Sequence, residues 1–253
     1  KDVAIGIILF SIFIYFGLTN MPWLPLILIY GLIGFKIGGL KLSLTIVASF
    51  LFITFTGVLP QALLSIYLCG IAVIISFILG SSLGIWAAHN DKVSAFMRPI
   101  NDTMQTMPSF VILIPFVMFF GIGEFTALLA IIAYAFVPAM RYTEHGLRNL
   151  PETVIEAARM IGCSQTQLLW KVKIPLAMPV IMLGLNQTIM FGLAMLVIAA
   201  LVGTTGLGQL IYIGLSKADF GTGMISGVSI ALIAIIFDRT TQAWRIKLEK
   251  KTQ

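Results

Sequence analysis

Residues 63–88 run for 26 positions without one charged side chain. At about 1.5 Å per residue such a run measures roughly 39 Å as a helix, more than the roughly 30 Å hydrocarbon core of a bilayer. In lipid every backbone donor and acceptor must be paired internally, which leaves helices and closed barrels as the spanning structures. The run shows no alternation of apolar and polar positions and is far too long for a barrel strand. It predicts a transmembrane helix in an all-α polytopic membrane protein.

Composition points the same way: of 253 residues, 59% are hydrophobic and 10% charged, against about 25% charged in a soluble domain. Other classes drop out. Cys69 and Cys163 are too few for a disulfide framework or a zinc site. His89 and His145 have no partner at ligand spacing, so no metal centre is expected. No G-x-x-x-x-G-K-[ST] string occurs, so the chain carries no Walker-type nucleotide site of its own. The net charge of +6 reads as basic loops held on the cytoplasmic side rather than as a nucleic-acid surface. Lys1 stands where an initiator Met would be, which points to a missing N-terminal stretch. The run after it lacks a small-residue cleavage site and does not read as a signal peptide.

Apolar runs between charges place candidate spans at 3–18, 23–35, 42–59, 63–88, 104–122, 125–140, 178–202 and 221–237. With the segment 141–173 in the cytoplasm, alternation brings Lys36, Lys41, Lys92, Arg98, Arg141, Arg148, Arg159, Lys171, Lys173 and the tail from Arg239 to the same side. Only Lys217 falls clearly outside, the asymmetry that the positive-inside rule demands. The run 3–18 would be about 24 Å long as a helix, short of the core thickness, so seven and eight spans both remain open.

Loops beyond about 12–15 residues without structure of their own are uncommon, yet the segment 140–175 is more than twice that. Pro151 suits a first helical position and Glu152 puts an acid in the first turn; Val154, Ala158 and Ile161 follow at helical spacing, and Gly162 supplies a stop. The stretch Ser164-Gln165-Thr166-Gln167 is a capping box opening a second short helix, with Leu168, Leu169 and Val172 on its apolar side and Pro175 as its expected end. Two short helices joined at a glycine form a compact cytoplasmic knob, a shape suited to docking.

Here the residues carry a family resemblance. Glu156-Ala157-Ala158, Gly162 after three residues, and Val172-Lys173-Ile174-Pro175 after nine more resemble the E-A-A-x-x-x-G-x(9)-I-x-L-P signature of ABC importer permeases, with Val172 and Ile174 as apolar-for-apolar departures. The stretches Met104-Gln105-Thr106-Met107-Pro108-Ser109-Phe110, Leu113-Ile114-Pro115, Phe120-Gly121-Ile122-Gly123, Asn186-Gln187-Thr188, Gly206-Leu207-Gly208-Gln209 and Asp238-Arg239-Thr240-Thr241-Gln242-Ala243 are similar to permeases of the glycine betaine/proline (quaternary amine) importers. Thr205 departs from that pattern, standing where a glycine is usual.

The resemblance implies a type I ABC importer permease fold of seven or eight transmembrane helices in the bacterial inner membrane. It implies residues 1–60 as membrane-embedded scaffold, 61–244 as permease core with the coupling segment 149–175, and 245–253 as a basic cytoplasmic tail. Glu156, Ala157, Ala158, Arg159, Gly162 and Pro175 are then the ATPase-coupling residues: Glu156 a contact across the interface, the alanines small for close approach, Gly162 the turn. The implied partners are a second copy of the chain, two ATPase subunits that bind the ATP and Mg²⁺, a substrate-binding protein and membrane lipid, with no nucleic acid. The implied cargo is a quaternary-amine osmolyte: glycine betaine, proline betaine, carnitine or choline.

Inside the membrane the polar content is modest. The runs 63–88, 104–122, 125–140, 178–202 and 221–237 hold no Asp, Glu, Lys, Arg or His, whereas proton relays are built on such groups. A sodium-coupled carrier using neutral ligands at broken helices stays open as the alternative. Asn186, Gln187 and Thr188 have two readings: interhelical hydrogen bonding, worth about 0.6 kcal/mol on average, or the lining of a pathway near the gate. Met190 reads as core packing or gate contact. Gln105 and Thr106 precede Pro108, a break that is either structural or frees carbonyls toward a passing cation. Gly203, Gly206 and Gly208 read as an external turn or as part of a surface for the binding protein.

Overall fold

The computed structural model describes Tyr15, Gly17 and residues 22–252, with side chains described as far as 249. The first apolar run, 3–18, lies outside the described residues apart from Tyr15 and Gly17. Everything with regular structure in the described part is helical. Five helices are long and apolar enough to cross a membrane, and a bent pair makes a sixth candidate.

Helix α1 (Trp23–Phe55) is a hairpin rather than a rod. Gly39 has φ 75° and ψ −165°, outside helical space, a conformation natural to glycine alone. The Ser43 hydroxyl donates to the Gly31 carbonyl at 2.9 Å, although twelve residues of straight helix would separate them by about 18 Å. The two arms correspond to the expected spans 23–35 and 42–59, with Lys36 and Lys41 at the turn.

The centre is built from α2 (Leu59–His89), α5 (Glu124–Arg148) and α8 (Ile174–Ala199). Gly80 and Gly84 let α2 lie directly on the backbone of α5: a Cβ at Gly80 would stand 2.5 Å from the Phe136 carbonyl oxygen, and one at Gly84 2.6 Å from that of Met140. Small residues four apart are the membrane device for such approach, since lipid supplies no hydrophobic drive between helices. Ile131, Ala135, Met140, Met195 and Leu196 are buried in the middle.

The expected span 104–122 is not one helix. An amphipathic helix, α3 (Asp91–Thr106), meets the apolar α4 (Ser109–Phe120) at 102°. Met107 and Pro108 between them are extended, with ψ of 134° and 132°. Proline drives the residue before it out of helical space, and Pro108 turned the chain where the apolar count did not. Pro115, by contrast, is tolerated inside α4.

Helix α6 (Glu152–Met160) is followed by the Gly162 turn and by α7 (Gln165–Gln167). The second short helix does not end at Pro175. It passes through a π turn, Leu168–Lys173, straight into α8, so that helix continues from Gln165 to Val202. Pro175 stands in the first turn of α8, where the wide turn upstream accommodates a residue without an N–H. A 3₁₀ turn, Ala200–Val202, then α9 (Leu207–Ser216) and α10 (Phe220–Thr252) complete the chain. Residues 245–252 are thus the end of a helix.

Candidate functional site

The knob is defined by its backbone hydrogen bonds. Ile161 and Gly162 donate to the carbonyls of Ala157 and Arg159 at 3.2 and 2.9 Å, and Gly162 takes φ 87° to close α6, a cost any side chain would raise. The capping box forms as its sequence predicts: Ser164 Oγ accepts from the Gln167 N–H at 3.3 Å, and Gln167 Oε1 accepts from the Ser164 N–H at 3.0 Å. Ala158 is buried and α6 packs on the π turn, where Leu168 is fully enclosed. Glu156, Ala157, Arg159, Gly162 and Pro175 all face solvent. Glu156 and Arg159 take no part in the ion pairs among the described residues. Beside them Met160 and Ile161 are 89% and 84% exposed. A rigid element with an apolar tip and an unpaired acid on its flank is the chemistry of a docking surface.

Arginines on α5 clamp α3 against the cytoplasmic end of the bundle. Arg148 binds Asp91 at 2.8 Å, Glu144 at 3.0 Å and the Ala87 carbonyl at 2.6 Å. Arg141 binds Asp102 and Gln105 at the other end of α3. Glu144 is buried and also accepts from Ser94 at 2.5 Å. Between these clamps opens a cleft of about 540 Å³, with Asn101 and Tyr142 on its walls.

Midway along α8, Asn186 is buried and its amide donates to Asp238 Oδ1 of α10 at 2.9 Å. Its carbonyl oxygen accepts from the Thr241 hydroxyl at 2.6 Å. Gln242 donates to both Asp238 oxygens at 2.8 Å. Thr188 is fully buried and donates to the Gly184 carbonyl at 2.8 Å, while Gln187 and Met190 are half-buried. At the outer end, the Leu207 N–H donates to Ser65 Oγ at 2.8 Å, seating α9 on α2. Thr205, which departs from the pattern the resemblance implies, donates to Glu124. The Thr222 hydroxyl and N–H hold the Asp219 carboxyl below its ordinary range.

The structure therefore gathers Glu156, Ala157, Ala158, Arg159 and Gly162 in one knob. It does not join Gln105 and Thr106 to the Asn186 group: Gln105 binds Arg141, and the Thr106 hydroxyl donates within α3 to the Asp102 carbonyl at 2.9 Å. Sequence reasoning named no role for Asp238, Thr241, Glu144 or Arg148. Asp238 directly follows the apolar run 221–237, with Thr241 three residues on, one face of a helix; that spacing was the available signal.

A family model described as "Binding-protein-dependent transport system inner membrane component" matches residues 80–241. The chain is 40% identical over 226 residues, 89% of its length, to the glycine betaine/proline betaine transport system permease protein ProW of Escherichia coli (strain K12), and covers 64% of that protein. It is 37% identical over 251 residues to the glycine betaine transport system permease protein OpuAB of Bacillus subtilis (strain 168), covering 99% of this chain and 88% of the relative. The chain thus spans a little under two thirds of the first of these relatives. Among solved structures, an inward-facing form of the MetNI methionine ABC transporter superposes with a TM-score of 0.66 at 18% identity, covering 76% of this chain and 95% of that one. The helical architecture is that of an ABC importer permease. The chain belongs to the family of binding-protein-dependent transport system inner membrane components, multi-pass proteins of the bacterial inner membrane.

Proposed function

We propose that the chain is the membrane-pathway subunit of an ATP-driven importer of quaternary-amine osmolytes such as glycine betaine, proline betaine, carnitine or choline. Two copies form the pathway. Two separate ATPase subunits, which bind the ATP and Mg²⁺, dock on residues 149–175, and a binding protein delivers cargo from outside. The chain itself catalyses no reaction.

The observation that carries this reading is the continuity of the knob with α8. The capping box at Ser164 starts a helix that runs unbroken from Gln165 to Val202, so a displacement of α6, which carries Glu156 and packs on the π turn, passes into the same helix that holds Asn186, Gln187, Thr188 and Met190. The Asn186–Asp238 bond then passes the motion to α10. Likeness to permeases that are named for glycine betaine and proline betaine supports the cargo class. A betaine carries no net charge, and the Asp238 carboxylate beside the proposed pathway is already engaged by Asn186 and Gln242 rather than free to hold a cationic head. In this mechanism ATP binding draws the ATPases together and the knob turns as a lever. The α8–α10 pair then shifts to open outward, and hydrolysis resets it.

The test is co-purification with the ATPase and binding protein, followed by uptake assays with ATP. Glu156→Lys leaves ATP hydrolysis in place and lowers uptake at least tenfold. Normal uptake per ATP in that variant overturns the coupling role.

A further inference from the structure

The cytoplasmic end of α10 packs against the turn of the α1 hairpin, and a cleft of about 510 Å³ opens between them. Lys41 and Arg239 stand in its lining, with Leu42, Ile235, Ala243 and Ile246 as apolar walls. The contact between the two elements is close: a Cβ at Gly38 would meet the Ala243 methyl at 3.3 Å. Lys247 donates to the Lys36 carbonyl and ties the helix to the turn.

Electrostatics there are unbalanced. Asp238 is engaged by Asn186 and Gln242, and Glu249 by Arg245 at 2.8 Å. Lys36, Lys41, Arg239 and Lys247 form no ion pair among the described residues. Two cations with no carboxylate of their own, Lys41 and Arg239, line a cleft that already has an apolar wall, with Lys36 and Lys247 joined to each other at the same hairpin turn. The depth is informative as well. Arg239 is the first cation after the apolar run 221–237, and Lys41 flanks the hairpin turn, so both lie where the spans meet the cytoplasmic water. A basic pocket between helices at that level matches the head group and upper acyl chain of an anionic phospholipid.

We propose that this cleft is a binding site for one anionic phospholipid of the cytoplasmic leaflet, its phosphate held by Lys41 and Arg239 and its acyl chain laid along Leu42, Ile235 and Ile246. A free phosphate ion shares the head-group chemistry but has no use for the apolar wall, which is why the lipid is the occupant. The site rests on the membrane placement of the chain and not on the cargo or the ATPase.

Native mass spectrometry of the full chain, purified from nanodiscs of phosphatidylcholine containing phosphatidylglycerol, tests it. The wild type retains phosphatidylglycerol over phosphatidylcholine through delipidation, and inorganic phosphate at millimolar concentration does not displace it. The pair Lys41→Gln and Arg239→Gln lowers retention about tenfold, whereas the charge-conserving pair Lys41→Arg and Arg239→Lys keeps it. Lys217→Gln, on the opposite face, changes nothing. Absence of lipid preference in the wild type overturns the proposal even if the double variant fails to fold. Equal retention in a folded double variant, or full displacement by phosphate, overturns it too.

Discussion

The amide of Asn186 and the carboxylate of Asp238 meet at 2.9 Å, across 52 residues of chain and between two helices that the apolar count treats as uncharged. Thr241 and Gln242 complete the arrangement, so each polar atom of the pair is used. Hydrogen bonds to a charged group contribute roughly 1.5–3 kcal/mol each. Replacing Asp238 by Ala strands the amides of Asn186 and Gln242, and a loss of about 2 kcal/mol is expected. Asp238→Asn keeps an acceptor and loses less. Thermal unfolding of the detergent-solubilised chain reads the difference, and equal midpoints for both variants and the wild type contradict it.

Gly80 and Gly84 bring α2 onto the backbone of α5, within 2.5 and 2.6 Å of carbonyl oxygens for any added Cβ. The obstacle is main chain, which cannot swing aside. Gly84→Val therefore forces the helices apart and costs at least about 1–3 kcal/mol, the usual range for overpacking. Its expected signature is a lower yield of folded chain in the membrane and a lower unfolding temperature. Gly70, which has open space around its Cβ position, serves as the control: Gly70→Ala is neutral or slightly stabilising.

Ser65 supplies the acceptor for the Leu207 N–H at 2.8 Å in a buried setting. Leaving a buried donor unpaired costs about 1–3 kcal/mol. Ser65→Ala loosens the start of α9 with little effect on the rest of the bundle. Hydrogen exchange at Leu207 and its neighbours should rise while exchange in α5 stays unchanged.

Much of this architecture is legible in the residues. Uncharged runs longer than a bilayer is thick locate α2 and α8, and the capping residues Ser164 and Gln167 locate the start of the knob's second helix. Two things were not legible: how far each proline bends the chain, and which polar groups meet across helices. Pro108 and Pro175 are both prolines in helical sequence. One turns the chain through 102° and the other is carried by a π turn, because the outcome depends on what lies upstream rather than on proline itself. Polar pairs such as Asn186 with Asp238 and Arg148 with Asp91 depend on the rotation of one helix against another, which a linear pattern does not encode. The turn and capping box of the knob were recoverable because their signals are local; the Asp238 bond was not, because its partner is 52 residues away.

The central claim is that this chain moves its cargo only when another subunit pushes on the knob at Glu156. Reconstitution in liposomes tests that most directly, comparing uptake of radiolabelled glycine betaine by the chain alone under a sodium gradient with uptake in the presence of its ATPase, binding protein and ATP. Accumulation against a gradient is expected solely in the second case, and it is lost in Glu156→Lys. Uphill accumulation by the chain on its own would contradict the account.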